Sequence, residues 1–225
     1  MLKILSFLLC FLIPYSSKTN ANTLDELFES VLNGDIQKIG TISKKESFDI
    51  NQTNKKGETA LHLAARYGEI KSCKALLKYG ARVDIADHNN SYPIHEASWF
   101  GNVKTLKMLL KNDTSLINKQ DILGWSPLFY AVMSLNFGKN AQKCINLLLK
   151  HEAHVDLVDK GGNTIIHYIS QHGYSRSLLQ LCKYLMKKNL LTILQKKNAA
   201  NKTALNLINQ YKFPRSYNIL KKYGA

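Results

Sequence analysis

The residues best equipped for chemistry in this chain are its histidines and cysteines. Neutral imidazole binds transition metals and serves as a general base near neutral pH. A thiolate is a nucleophile and a soft metal ligand. His62, His95 and His167 each close a similar phrase: Thr59-Ala60-Leu61-His62, Tyr92-Pro93-Ile94-His95 and Thr164-Ile165-Ile166-His167. They stand one phrase apart along the chain, so they do not converge on one ion. His151-Glu152-Ala153-His154 looks like a clipped zinc-protease run, but the H-E-x-x-H spacing is missing. Cys73, Cys144 and Cys182 lie within apolar segments, where thiols behave as small hydrophobes. Gly161-Gly162 has no G-x-x-x-x-G-K-[ST] context to cradle a phosphate, and no G-x-S-x-G nucleophile motif occurs. The expectation is a chain that is not an enzyme and that uses no metal and no cofactor.

The elements that carry these residues repeat. The phrase also returns as Ser126-Pro127-Leu128-Phe129 and Thr203-Ala204-Leu205-Asn206, at intervals of 33, 34, 38 and 39 residues from Thr59 onward. A period in this range signals a solenoid. In the first unit a short apolar run leads to Gly68, then Cys73-Lys74-Ala75-Leu76-Leu77 leads to Gly80. Apolar residues at spacings of three and four give each segment one buried helical face. Glycine after each segment suits a left-handed helix end. The polar stretch Ala81 to Asn90 reads as an extended turn into the next unit.

This helix, turn, helix, long-loop unit resembles the ankyrin repeat, whose signature is T-P-L-H-x-A at about 33 residues. The resemblance covers roughly 55–225. It implies an all-α solenoid of helix-turn-helix units joined by extended, hairpin-like loops. Repeats are expected at about 56–85, 89–118, 123–157, 161–194 and 200–225, together forming a domain over 54–225. Residues 22–53 read as a degenerate first repeat, in which Leu27 to Ile36 aligns with Leu61 to Ile70. The resemblance also implies that the motif histidine ties a turn by bonding to backbone, and that His151 to His154 fall in the turn after a second helix. Departures are Phe129 and Asn206 in place of histidine, and extra residues around Ser134 to Ala141 and Tyr174 to Leu178. Such insertions usually land in loops on one face. The last residues, Tyr223-Gly224-Ala225, coincide with a repeat boundary, so no catalytic domain is expected to follow.

Residues 1–21 stand outside this pattern. Lys3, the apolar run Ile4 to Ile13 and the small residue Ala21 describe a secretory signal peptide. The run falls short of the ~18–20 residues that span a bilayer. The expectation is export, to the periplasm or outside the cell. The alternative is an inner-membrane anchor at 4–13, which would be the chain's one membrane contact. The formal charge is +15, and removal of Lys3 and Lys18 leaves about +13. Such a balance favours acidic partners. The lysines are scattered through every repeat, so nucleic acid is not the expected partner. With Cys10 in the signal segment an odd number of thiols is left, and no disulfide is expected.

In the family the turn tips and first helices line a concave side. The candidate partner-binding residues are therefore Arg66, Tyr67, His88, Trp99, Phe100, Trp125, Met133, Lys160 and His172. Trp, Tyr and Arg dominate interface hot spots. Trp99-Phe100 falls where exposed polar residues are expected. The function implied is a monomeric protein–protein interaction scaffold. It would be an exported one, acting as a secreted effector on a host protein. The alternatives are a periplasmic structural or chaperone-like partner and a basic binder of anionic surfaces, nucleic acid or lipid.

Overall fold

The computed structural model describes residues 23–46, 48–136 and 140–225. The export segment and residues 137–139 of the repeat-three insertion lie outside the described residues. The described residues form twelve α-helices and no strand: α1 (Thr23–Leu32), α2 (Ile36–Ser43), α3 (Ala60–Tyr67), α4 (Ile70–Lys78), α5 (Pro93–Trp99), α6 (Val103–Asn112), α7 (Pro127–Met133), α8 (Ala141–Lys150), α9 (Ile165–Gln171), α10 (Ser175–Lys187), α11 (Ala204–Leu207) and α12 (Pro214–Lys222). Odd-numbered helices stack on one another in one row, and even-numbered helices form a second row behind them.

Local chemistry explains the unit. Each first helix starts after an extended residue, at Thr59, Tyr92, Ser126, Thr164 or Thr203. Pro93 and Pro127 occupy the first turn, where a missing N–H costs nothing. The α3 helix ends at Gly68 (φ 69°), against which Asn102 of the next repeat packs. Asn102 Nδ2 donates to the carbonyls of Ala65 and Arg66 at 2.8 Å, satisfying orphan acceptors at the helix end.

The two rows bury different amounts of themselves. Ala60 to Ala65 of α3 are all buried, because this helix is covered by neighbours on several sides. In α4 only Ser72, Cys73, Ala75 and Leu76 are buried, a single stripe. The core is correspondingly a strip, running from Leu27 through Leu61, Ile94, Leu128 and Ile166 to Leu220. Each fully buried leucine contributes about 1.5–3 kcal/mol from burial.

Two details depart from the sequence reading. The extra residues of repeat four do not form a loop. The turn at His172-Gly173-Tyr174 is only one residue longer than the one at Gly68-Glu69, and the second helix is four residues longer, 13 residues in α10 against 9 in α4. The run Leu178, Leu181, Cys182, Leu185 keeps one buried face across the added turn, so helix is the better solution there. The loops after α6 and α10 also contain 3₁₀ segments, Ser115–Asn118 and Leu191–Gln195, pinned by Leu116, Ile117, Ile193 and Leu194.

Candidate functional site

The turn tips are built by one recurring residue. Asn54, Asp87, Asp121, Asp159 and Asn198 each turn a side-chain oxygen back onto the backbone N–H groups two and four residues on, at 2.7–3.1 Å. The same residue's own N–H donates to the carbonyl four residues on, closing a narrow hairpin. Successive tips are tied together by backbone bonds: His88 N–H to Lys56 O, Ile122 to Asn89, Lys160 to Leu123 and Ala199 to Gly161. These acids and amides recur with the period of the motif, a spacing that the sequence reading passed over.

The motif histidines tie each first helix to the next tip. The N–H of Thr59, Tyr92 and Thr164 donates to Nδ1 of His62, His95 and His167 at 3.0–3.1 Å. Each Nε2 reaches a carbonyl one unit on, of Ser91, Lys119 and Lys202, at 3.0–3.1 Å. A carbonyl only accepts, so Nε2 carries the proton and the ring is neutral. Burial lowers the pKa of all three, with His95 pushed down to about 4. Phe129 replaces this tie with ring contacts, stacked on Trp125 at 6.5 Å and edge-on to Tyr168 at 6.0 Å. Asn206 keeps half of it, accepting from the Thr203 N–H at 3.0 Å.

Beneath the first three tips lies a groove of about 540 Å³. Arg66 spans its floor. Its Nε donates to Glu96 Oε2 at 2.9 Å, and its other arm donates to Glu58 Oε1. Glu58 also accepts from Asn54. Burial alone would raise the Glu58 pKa, but the hydrogen bonds from Asn54 and Arg66 outweigh it and hold the carboxyl below its ordinary range. Tyr130 donates to Asp121 Oδ2 at 2.8 Å; burial and then that carboxylate push its phenol upward. The Ser91 hydroxyl, 3% exposed, stands beside Tyr130. Four acids, Glu58, Asp87, Glu96 and Asp121, and three cations, Arg66, Lys55 and Lys56, line the groove, with His88 and the apolar tip Ile122-Leu123 alongside.

The candidate residues divide between several places. Arg66 and His88 line the groove. Lys160 is exposed on the fourth tip. Tyr67, Met133 and His172 sit at the far ends of α3, α7 and α9, with Tyr67 and His172 exposed and Met133 half-buried. Trp99, Phe100 and Trp125 are half-buried. Trp99 meets Tyr130 edge-on at 5.8 Å, and Trp125 meets both Tyr130 (5.8 Å) and Tyr168 (6.0 Å). These rings join repeats two, three and four.

The other chemical candidates have structural surroundings. His151 and Glu152 form the turn after α8, with Glu152 at φ 63° and its carboxylate paired to Lys188. Cys73, Cys144 and Cys182 are free and buried, and burial raises their pKa to about 12, 11 and 11.

Comparison with known proteins places this geometry. A family model described as ankyrin repeats (3 copies) matches residues 17–121 and 113–194. A probable 26S proteasome regulatory subunit p28 of Saccharomyces cerevisiae is 34% identical over 114 residues, covering 51% of this chain and 48% of that protein. Inversin of Canis lupus familiaris is 31% identical over 134 residues, 57% of this chain and 12% of that protein. The chain thus spans half or less of the length of these relatives. The crystal structure of an ankyrin repeat protein superposes with a TM-score of 0.74 at 22% identity, over 92% of this chain and all of that one. Ankyrin repeats are modules of protein–protein interaction, and the family is in general a non-enzymatic scaffold. The tied tips, the buried motif histidines and the family match together establish that this chain belongs to the ankyrin repeat family.

Proposed function

We propose that this chain is an exported binding scaffold that grips a partner protein along its tips and groove. The observation that carries the proposal is the groove beneath the first three tips. Its walls are fixed by hydrogen bonds, yet Glu96 Oε1 and Asp87 Oδ2 accept none from the described residues. Carboxylate oxygens of two residues that line the same groove suit a lysine or arginine of the partner, with Ile122 (45% exposed) and Leu123 (39%) offering apolar contact beside them. Tyr67, His88 and Lys160 supply exposed side chains on the same frame. Lys3 and the run Ile4 to Ile13 support export, and an exported scaffold with no chemistry of its own suits an effector acting on another cell's protein.

Proximity labelling of the tagged full chain in its native cells tests this reading, with compartment read from the same sample. The Tyr67→Ser/His88→Ser/Lys160→Ser variant should label the principal partner several-fold less. Equal labelling by the variant, or recovery of the tagged chain only in the cytosol, contradicts it. Trp99→Ala and Trp125→Ala are poor probes, because both rings hold neighbouring repeats together.

A further inference from the structure

The charges of this molecule are sorted by row. The second helices, α2, α4, α6, α8, α10 and α12, carry one, three, three, two, three and three Lys or Arg, and no Asp or Glu. The first helices, α1, α3, α5, α7, α9 and α11, carry Arg66 alone against Asp25, Glu26, Glu29 and Glu96. A bias toward lysine across the whole chain does not explain this. At the overall ratio of 31 basic to 16 acidic residues, fifteen charges would include about five acids. All fifteen of the second-row cations are exposed, and none of them is in an ion pair among the described residues.

We propose that the outer face of the second-helix row docks on an anionic lipid bilayer. Lys74, Lys107, Lys143 and Lys183 fall on successive helices of the row, whose axes lie roughly 10 Å apart, Lys143 one turn earlier than the other three, and together they form a positive strip. A strip of cations without acids is attracted to smeared negative charge, at about one increment of binding per lysine near the surface. The face is bordered by a pocket of about 340 Å³, at the starts of α4, α6 and α8, where Lys104 and Lys143 stand. Its rings, Tyr184 and Tyr217, are half-buried instead of offering a platform for bases. The C-terminal end of α10 also carries a feature suited to lipid: Met186 (52% exposed) and, just beyond the helix, Leu190 (39%), flanked by Lys183 and Lys187. Docked this way, the tips and the groove face solution. The proposal does not depend on which protein the groove takes.

Flotation of the full chain with vesicles tests the proposal. The chain should float with phosphatidylcholine vesicles holding about 30% phosphatidylglycerol and not with phosphatidylcholine alone, and binding should fall steeply from about 50 to about 200 mM salt. Lys74→Gln/Lys107→Gln/Lys143→Gln/Lys183→Gln should weaken binding by two orders of magnitude or more. A matched control at the tips, Lys55→Gln/Lys56→Gln/Lys160→Gln/Lys202→Gln, removes the same charge and should lose less than threefold. Met186→Ser/Leu190→Ser should weaken binding severalfold at high salt. Equal loss in both quadruple variants would overturn the proposal, because net charge and not the strip would then be responsible. Equal binding to neutral vesicles would overturn it too, as would tighter binding to a 20-base-pair DNA duplex than to the anionic vesicles at the same salt.

Discussion

Acidification should weaken this fold through His95, and the size of the effect follows from its surroundings. His95 is fully buried between Tyr92 and the Lys119 carbonyl. Protonation would place an Nδ1–H against the Tyr92 N–H, donor facing donor. Burial lowers its pKa from 6.5 to about 4, so the unfolded chain binds the proton first. A depressed folded pKa means stability that is complete above about pH 6.5 and is lost as pH falls toward 4. The full difference is about 3 kcal/mol, of which about 2 kcal/mol is lost by pH 5. His95→Asn removes the titration but keeps the bond to the Tyr92 N–H, as Asn206 does for Thr203. The variant should be less stable at pH 7 by about 2–3 kcal/mol, from the orphaned Lys119 carbonyl and the lost volume. Urea unfolding of both proteins at pH 7 and pH 5 is the assay. The wild type should lose about 2 kcal/mol more than His95→Asn over that interval. Charge repulsion and the other two histidines act on both proteins and cancel. Equal losses would refute the reasoning.

Other consequences follow from close contacts at the tips and in the core. A Cβ at Gly124 (φ 81°) would lie 2.9 Å from Asp159 Cα, whereas one at Gly80 (φ 89°) meets nothing within 4 Å. Gly124→Ala should therefore cost at least twice the ~1–2 kcal/mol left-handed penalty expected of Gly80→Ala, measured by thermal or urea unfolding. Cys73, Cys144 and Cys182 should resist iodoacetamide at pH 8 in the folded chain and react fully in urea, with mass spectrometry counting the adducts. Trp125→Ala should destabilise the chain by about 3–5 kcal/mol, because the ring packs on Phe129, Tyr130 and Tyr168; a loss under 1 kcal/mol would show it to be dispensable to the stack.

The parts legible in the sequence were those set by local chemistry. Gly68 and Gly80 marked left-handed helix ends, and both adopt positive φ. The histidine phrase marked the start of each first helix, because capping is decided within four residues. The tip acids were missed. Asp121 and Asp159 recur with the motif, but their work is done on backbone N–H groups that no side-chain pattern displays. The added turn of α10 was read as a loop, since length alone does not say whether extra residues continue a buried stripe. Trp99 and Trp125 drew attention as candidate partner anchors, and their packing partners, Tyr130 and Tyr168, lie a repeat away, where no local pattern shows them. The lysines looked scattered along the chain. Only assignment of each helix to a row sorts them onto one face.

The account rests most heavily on which face meets the partner protein. Lysine-reactive crosslinking of the full chain to its captured partner, read by mass spectrometry, reports this directly. The account predicts crosslinks from Lys55, Lys56 and Lys160, at the tips. Crosslinks confined to Lys74, Lys107, Lys143 and Lys183, on the outer row, would contradict it.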